Sequence, residues 1–476
     1  MNNRLILTLM MVFSFTTVIS QTKVSGGIYS NTTWTLAKSP YLMTNNIVVF
    51  PGATLTIEPG VIVRVMESKS VGSPYYLETR GSIVMVGTSS SPITFRADSA
   101  TKTVGAWSGI KIKNSQGGQI RYNYVNMSNA INCFEYDANL PDLIELNQST
   151  FSYNYFAVNV GLELKAEKCT FSHNENAIYG WSIFTFENCV FDSNLLAISA
   201  YASRLTMNNS IIQNNNMGIK FNAGALNGIT IRNSLFENNL IGIDNANNGL
   251  IDSCTFTGNK EAVLNTTYLN ISNSNFNFNS TALQIGFGSK VKDCSIERNE
   301  TGVALGPINF GQPAPMIENN RICNNKYYNI DNRTDLNLFV PTNCFCSTDS
   351  AQIENKIFDG YDDISKGLIS YAVFDTTCVK VLSMVNKTQL TASDNSLNTL
   401  NKVSVYPNPM NSELFIDNVN RFNSFKIISL QGQQVINGEL NEGNNRIDVS
   451  SIKAGSYLLI LEGLGIQNQV IRILHL

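Results

Sequence analysis

Two acidic residues in the middle of the chain have the chemistry needed for glycoside hydrolysis. Asp192 and Glu237 occupy the same position of a sequence repeat, and Gln213 occupies that position in the repeat between them. If each repeat advances by one strand spacing of about 4.8 Å, the two carboxylates lie about 9.6 Å apart, at the upper end of the separation used by inverting hydrolases. No catalytic motif flanks them, and exposed acids are common on any solvated face, so they are weak catalytic candidates.

Aromatic and basic side chains at other repeat positions are candidates for ligand binding. Trp181 and Tyr201 occupy equivalent places in successive repeats, where their rings could stack on sugar rings. Arg232, Lys290 and Lys292 could contact an anionic sugar. Aromatic residues at such places also serve packing, so both interpretations stay open.

Three aspartates near the end of the repeats are the candidate metal ligands. Asp359, Asp362 and Asp363 offer carboxylate oxygens, which are the ligands that Ca²⁺ prefers. A solvated capping turn accounts for the same residues, and no further ligand spacing accompanies them. We therefore expect no cofactor, with Ca²⁺ at these aspartates as the alternative.

A repeat of about 20 residues must position these candidates. An asparagine recurs at intervals of 20 to 26 residues, three residues after an apolar anchor and, in the first eight repeats, three before a small-aliphatic pair. So short a unit, without helical periodicity, predicts strands joined by turns and stacked over a continuous apolar column. We expect each asparagine to adopt a left-handed turn conformation and to hydrogen-bond its neighbours in adjacent coils. The asparagines are Asn154, Asn174, Asn194, Asn215, Asn239, Asn259, Asn279, Asn299 and Asn325.

This pattern resembles the right-handed parallel β-helix of the pectate-lyase-like superfamily, in which an asparagine ladder follows one turn. The resemblance implies an all-β fold, a right-handed parallel β-helix solenoid followed here by a small C-terminal β-sandwich. It also brings polysaccharide lyases and hydrolases into consideration. The G-H-G and N-T-D motifs of polygalacturonases are absent from this sequence.

The last 74 residues begin with the motif Tyr406-Pro407-Asn408-Pro409 and continue with Gly432 and the pair Gly455 and Tyr457 in turn-bounded strands. With these motifs in this order, they resemble the type A C-terminal sorting domain of the type IX secretion system. The final strand departs from that family, because residues 470–476 contain no lysine. The resemblance implies passage through the periplasm, recognition by the outer-membrane secretion machinery, removal of the domain, and release or anchoring at the cell surface. The residues that carry the sorting motifs are Tyr406, Pro407, Asn408, Pro409, Gly432, Gly455 and Tyr457.

Composition and local patterns divide the chain into segments. A charged residue, Arg4, followed by an apolar run predicts a signal peptide, and a polar stretch without repeats predicts a linker. The predicted segments are 1–20 signal peptide; 21–382 β-helix, comprising 21–115 cap and first coils, 116–330 ladder coils and 331–382 terminal cap; 383–402 linker; and 403–476 sorting domain.

Charge and cysteine content limit the partners and the redox chemistry. A net charge of −3 disfavours nucleic acid and anionic membrane as partners, and no segment of the mature chain is apolar over the length of a bilayer. Four of the nine cysteines share one inward repeat position and are predicted to be buried free thiols: Cys169, Cys189, Cys254 and Cys294. Four others near the end of the repeats are better disulfide candidates, in a pairing that the sequence leaves open: Cys323, Cys344, Cys346 and Cys378.

These observations favour an exported cell-surface or secreted β-helix that binds extracellular polysaccharide, or acts as an adhesive or structural element, without catalysis. A polysaccharide lyase or glycoside hydrolase is the alternative. The missing catalytic motifs favour the first hypothesis.

Overall fold

The structure is a computed structural model, and its described residues form two compact units, divided between residues 393 and 394. The predicted signal peptide, the predicted linker, and Pro407, Asn408, Pro409 and Gly432 lie outside the described residues. The described residues are 21–68, 72–99, 103–137, 143–161, 163–201, 204–222, 228–306, 311–378, 404–406, 410–417, 422–429, 433–441, 445–462 and 469–475.

The first unit is a right-handed parallel β-solenoid of about 13 turns, which confirms the predicted fold. A typical ladder coil places Glu163–Glu167 on face 1, Thr170–Ser172 on face 2 and Asn176–Gly180 on face 3. Burial alternates along the face 1 strand, so that Leu164 and Ala166 point inward. Each strand pairs in parallel with its equivalent in the next coil.

Faces 1 and 3 of the ladder coils form an 18-stranded sheet, joined through the long strand Glu261–Ser272. Its face 1 strands are Leu143–Asn147, Glu163–Glu167, Ile183–Glu187, Arg204–Asn208, Gly228–Arg232, Asn247–Asp252, the end of Glu261–Ser272, Lys290–Lys292 and Met316–Glu318. Its face 3 strands are Phe156–Val160, Asn176–Gly180, Leu196–Tyr201, Met217–Asn222, Ile241–Asp244, the start of Glu261–Ser272, Thr281–Ile285, Thr301–Leu305, Tyr328–Asn332 and Ile357–Phe358.

Face 2 of the ladder coils continues into the first coils as a 17-stranded sheet. Its strands are Thr22–Ile28, Tyr41–Val49, Ile62–Val65, Tyr76–Thr79, Ile93–Ala97, Gly109–Ile112, Val125–Ser128, Phe134–Tyr136, Thr150–Ser152, Thr170–Ser172, Val190–Asp192, Ile211–Gln213, Leu235–Glu237, Thr255–Thr257, Asn275–Asn277, Ser295–Glu297 and Arg321–Cys323. The first coils have their own four-stranded sheet on face 1, made of Thr32–Trp34, Thr54–Ile57, Ser82–Val86 and Gln119–Asn123.

Short elements complete the first unit. Leu338–Phe339 pairs with Ile369–Ser370 in the terminal cap. The helical segments are the 3₁₀ turns Leu36–Lys38 and Asn114–Gln116 and the α-helix Ser350–Glu354. No helix of the described residues has the length and apolar content needed to cross a membrane.

The predicted apolar column runs through the solenoid. Phe151, Phe171 and Phe191 are fully buried, and their rings stack with centroids 5.3 and 4.9 Å apart. The stack resumes at Phe236 and Phe256, with centroids 4.6 Å apart. Stacked rings at the strand spacing bury large apolar areas and fix the vertical alignment of the coils.

The asparagine ladder is present at all nine predicted positions, each side chain being no more than 2% exposed. From one coil to the next, Nδ2 of each asparagine except the last donates to Oδ1 of its neighbour at 3.0 Å, and Asn325 donates to Asn329 Oδ1 at 2.9 Å. The predicted left-handed conformation was assigned to the wrong residue. Positive φ belongs to the residue before the asparagine, because that residue reverses the chain while the asparagine turns inward; these residues are Tyr153, His173, Ser193, Asn214, Asn238, Gly258, Phe278, Arg298 and Asn324.

The cysteine predictions are confirmed. The four repeat-position thiols are free and buried, and Cys133 is a fifth. Disulfides join Cys323 to Cys346 and Cys344 to Cys378, closing the end of the solenoid.

The second unit is a small antiparallel β domain with its own apolar core, as predicted. One sheet contains Ser404–Tyr406, Glu413–Asp417 and Asn445–Asp448, and the other contains Gln434–Glu439, Ser424–Ser429, Gly455–Glu462 and Gln469–His475. Leu414, Ile427 and Leu459 are fully buried between them.

Candidate ligand-binding surface

The two candidate catalytic acids lie in one outward column of face 2. Asp192 pairs in register with Gln213, which pairs with Glu237, so the acids are two coils apart as predicted. The Asp192 carboxylate accepts hydrogen bonds from Asn214 Nδ2 at 2.8 Å and Ser193 Oγ at 3.0 Å. Because Asn214 belongs to the next coil, Asp192 already links two coils of the solenoid.

Acids on face 1 make the same kind of link. Both carboxylate oxygens of Glu187 accept hydrogen bonds from amides of the next coil, Asn208 Nδ2 at 3.1 Å and Asn209 Nδ2 at 2.7 Å. Asp252 accepts hydrogen bonds from Ser272 Oγ at 2.7 Å and Asn273 Nδ2 at 2.8 Å. Partial burial alone would raise the pKa of Asp252, but these hydrogen bonds hold its pKa below the usual value.

The three candidate basic residues do not form one cluster. Arg232 lies three coils from Lys292 in the same outward column of face 1, a separation of about 14 Å at the strand spacing. Asp252 occupies the place beside Arg232, and Glu318 forms a 3.7 Å ion pair with Lys292. Lys290 is exposed in the neighbouring column. In the outward columns of face 1, the basic side chains therefore lie next to acidic ones.

Trp181 and Tyr201 lie at the corner between face 3 and face 1. Gly180 pairs in register with Ala200, so the residues that follow them align in successive coils, as predicted. Trp181 is 59% exposed, and its ring lies over Gly161 of the preceding coil, 2.9 Å from the position that a Cβ would occupy. A side chain at position 161 would therefore displace the indole.

Two further aromatic residues extend this corner. The Tyr179 ring lies 5.4 Å from Tyr201 and 5.2 Å from Phe156, measured between centroids. A hydrogen bond between the Tyr179 and Tyr201 hydroxyls raises the pKa of Tyr179. Sequence reasoning missed Tyr179 and Phe156, although both directly border the small-aliphatic pairs of their repeats. We call Phe156, Tyr179, Trp181 and Tyr201 the aromatic corner.

The three candidate metal ligands bind backbone N–H groups. Asp359 is fully buried, and its carboxylate accepts from Tyr361 N at 2.8 Å and Ile369 N at 2.7 Å. Asp362 accepts from the Asp359 N–H at 3.1 Å, and Asp363 accepts from Ser365 N at 2.9 Å. The predicted turn is therefore not solvated at Asp359, and Ca²⁺ binding by these aspartates stays a prediction.

The described sorting residues belong to the second unit. Tyr406 ends a strand, and Gly455 begins the strand that contains Tyr457. Tyr457 is buried, and its hydroxyl donates to the Lys453 carbonyl at 2.7 Å. This bond ties the tyrosine to the turn that precedes its strand.

Comparison with known families agrees with this architecture. Residues 26–129 match the model of a pectate-lyase like beta helix domain, and residues 177–307 match that of a right handed beta helix region. The first unit is thus a parallel β-helix, similar over residues 26–129 to a pectate-lyase like domain. Residues 404–473 match the secretion system C-terminal sorting domain, so this particular β-helix carries a type IX sorting domain, which implies the type IX machinery as its partner. The curated proteins contain no match to the chain.

Proposed function

We propose that the protein is a glycan-binding or adhesive element that acts outside the cell without catalysis. The sorting domain supports this location, because its role is delivery to the outer surface. The fold adds a rigid, elongated scaffold on which side chains of successive coils lie about 4.8 Å apart. Such a scaffold presents a row of contacts to an extended polymer.

The aromatic corner is the observation that carries the proposal. Aromatic rings offer apolar faces that pack on the C–H faces of sugars, and Trp181 is more than half exposed. Tyr201 is partly exposed and aligned with it in the next coil. We propose that Trp181 and Tyr201 stack on sugar rings, with Arg232, Lys290 and Lys292 contacting a longer ligand along face 1.

The hydrogen bonds of the outward acids favour binding over catalysis. A general acid or base must contact the substrate to exchange a proton with it, and a carboxylate already hydrogen-bonded within the protein has fewer lone pairs left for that contact. Asp192 is held in this way by Asn214 and Ser193. The alternative function, glycoside hydrolysis or polysaccharide lysis, is supported by the alignment of Asp192 with Glu237 in one column.

A binding screen and an activity screen on the same purified full chain separate these functions. The ligands are pectin, alginate, chondroitin, xylan and neutral oligosaccharides, each with and without Ca²⁺; product is followed as reducing sugar and as absorbance at about 232 nm, where the double bond formed by lyases absorbs. We expect binding without product, and binding that survives chelation, since we propose that no cofactor is needed. Product formation that Asp192→Asn abolishes would establish the alternative.

The aromatic corner has its own variant and control. Trp181→Ala should weaken glycan binding, whereas Tyr361→Ala should not, although Tyr361 is 76% exposed on the terminal cap. Equal binding by both variants would remove the corner from the proposal.

A further inference from the structure

A cleft of about 560 Å³ opens on face 1 where the first coils meet the ladder coils. It lies between the strands Gln119–Asn123 and Leu143–Asn147, which occupy face 1 of consecutive turns but belong to different sheets. The same two turns stay joined elsewhere: Asn126 pairs with Thr150 on face 2, and Asn132 bridges to Phe156 on face 3. As far as residues 103–137 and 143–161 are concerned, the solenoid is therefore open on one face at this level.

The floor of the cleft consists of side chains that are core residues in other coils. Ile120 and Tyr122 are in register with Ile83 and Met85, which are fully buried in the coil below. Ile120 and Tyr122 are only partly buried, because Gln119–Asn123 is the edge strand of its sheet among the strands that the structure describes. Tyr136 also lines the cleft. Such a mixed floor offers apolar and aromatic surface to a ligand.

Two polar atoms in the cleft lack partners among the described residues. The Tyr122 hydroxyl and the Asn114 Oδ1 are buried, and neither has a hydrogen-bond partner within the described part of the chain. Burial raises the pKa of Tyr122, with smaller contributions from neighbours that include Tyr136 and Glu145, so its hydroxyl is a neutral donor at physiological pH. A buried polar group without a partner costs stability, and such groups in folded proteins usually meet a ligand or water.

The two edges of the cleft have complementary polar side chains. Arg121 and Asn123 project from one strand, and Glu145 and Asn147 project from the other. The charges of Arg121 and Glu145 cancel, so the cleft has no net attraction for a polyanion. Planar amide, guanidinium and carboxylate groups each bond two adjacent hydroxyls at once, which is the hydrogen-bonding pattern that a sugar ring presents.

We propose that this cleft binds a segment of a neutral glycan, with a sugar ring on the Tyr122 and Tyr136 floor and sugar hydroxyls hydrogen-bonded to Tyr122, Asn114 and the charged edges. The volume lies within the roughly 300–1,000 Å³ of small-ligand sites. This inference rests on the proposed glycan-binding function for its ligand class, and it places a binding site one coil before Trp181 and two coils before Tyr201.

The test uses the full chain and hexasaccharides of glucose, mannose, xylose and N-acetylglucosamine, with polygalacturonate as the anionic contrast, measured by calorimetric titration. Tyr122→Phe removes only the unpartnered hydroxyl, and we expect it to weaken binding about tenfold, equivalent to one hydrogen bond. Thermal stability should stay equal or rise, because the hydroxyl has no partner in the free protein. Damage to the fold would lower both the affinity for the hexasaccharides and the thermal stability.

Glu145→Gln tests the edge of the cleft without altering the core. Its matched control is Glu163→Gln, an exposed acid one strand further along face 1, in register with Leu143. We expect Glu145→Gln to weaken binding at least about threefold, as loss of one charge-assisted hydrogen bond predicts, and Glu163→Gln to bind like the native chain.

The outcomes separate this inference from the proposed function. Losses confined to Tyr122→Phe and Glu145→Gln support the cleft. If these variants bind neutral hexasaccharides like the native chain while Trp181→Ala does not, the cleft proposal is overturned and the proposed function stands. A native chain that binds none of the sugars overturns both, and binding of polygalacturonate alone overturns the neutral-ligand inference.

Discussion

Removing one asparagine from the ladder tests the structural basis of the whole solenoid. The Asn239 side chain makes four hydrogen bonds: Nδ2 donates to the Ile212 carbonyl at 2.9 Å and to Asn259 Oδ1 at 3.0 Å, and Oδ1 accepts from the backbone N–H and Nδ2 of Asn215, each at 3.0 Å. Asn239→Ala deletes all four. The free energy of unfolding should therefore fall well beyond the effect of an ordinary surface substitution.

The size of the effect follows from the groups left without partners. Truncation affects two buried donors of Asn215, its backbone N–H and one Nδ2 hydrogen. Both lose the oxygen that accepted their hydrogen bonds. A buried unsatisfied group costs about 1–3 kcal/mol, and relaxation of the turn recovers part of this, so we expect a loss of about 2–4 kcal/mol. Asn259 Oδ1 keeps the bond from the backbone N–H of residue 239, which limits the loss on that side.

The neighbouring residue provides the matched control. Asn238 is exposed and adopts φ of +55°, and the next coil has Gly258 at this position with φ of +67°. Asn238→Gly should change stability by less than about 0.5 kcal/mol. Sequence alone predicts that Asn238→Ala is also nearly neutral, but the positive φ makes alanine about 1 kcal/mol unfavourable there.

The readouts are the urea midpoint followed by circular dichroism and hydrogen exchange of peptides spanning the flanking coils. Exchange is needed because repeat arrays can unfold in parts. Asn239→Ala should lower the midpoint and speed exchange in the coils of Asn215 and Asn259. Equal midpoints and equal exchange for Asn239→Ala and Asn238→Gly would refute the ladder as a source of stability.

Four further predictions concern the sorting domain, the free thiols, a disulfide and an outward acid. Deletion of residues 403–476 should leave a folded solenoid that fractionation finds in the periplasm; normal yield outside the cell would contradict the sorting role. In a thiol titration, the unfolded protein should show five reactive thiols before reduction and nine after it. The native protein should show none, because burial raises the pKa of Cys189 and Cys254 to about 12. The double variant Cys344→Ser with Cys378→Ser should lose about 4 kcal/mol, from opening a 34-residue loop, in thermal unfolding. Asp252→Asn should lower the free energy of unfolding at neutral pH and have a vanishing effect in acid. The reason is that a folded-state pKa below 3.8 contributes stability that is lost as the pH falls through that pKa. A difference in the free energy of unfolding that does not depend on pH would exclude this cause.

The repeat made most of the fold predictable. Each ladder asparagine meets the same neighbours, so one register assigns every inward and outward residue of the ladder coils. That register correctly places Asp192 in line with Glu237, and Trp181 in line with Tyr201. The buried thiols followed from the same reasoning, because Cys169 and Cys189 share an inward slot.

What the sequence could not predict depends on contacts between coils. The alternation in Gln119–Asn123 is like that of any other face 1 strand, and nothing in it indicates that the next coil fails to pair with it. The residue with positive φ was misplaced by one position for a similar reason. Asparagine favours that conformation in isolation, but Asn239 must point inward to bond Asn215 and Asn259, so Asn238 reverses the chain instead.

The outward acids show how stability and binding are divided along this solenoid. Where strands pair on every face, carboxylates such as Glu187 accept amide hydrogens from the next coil, and their hydrogen bonds are already satisfied within the protein. Where face 1 opens, the Tyr122 hydroxyl and Asn114 Oδ1 have no partners among the residues described. A ligand gains most where it satisfies groups that the fold has left unsatisfied, because their desolvation has already occurred on folding. Under the cleft proposal, the junction between the first coils and the ladder coils is a part of face 1 where a neutral sugar gains hydrogen bonds at little cost in desolvation.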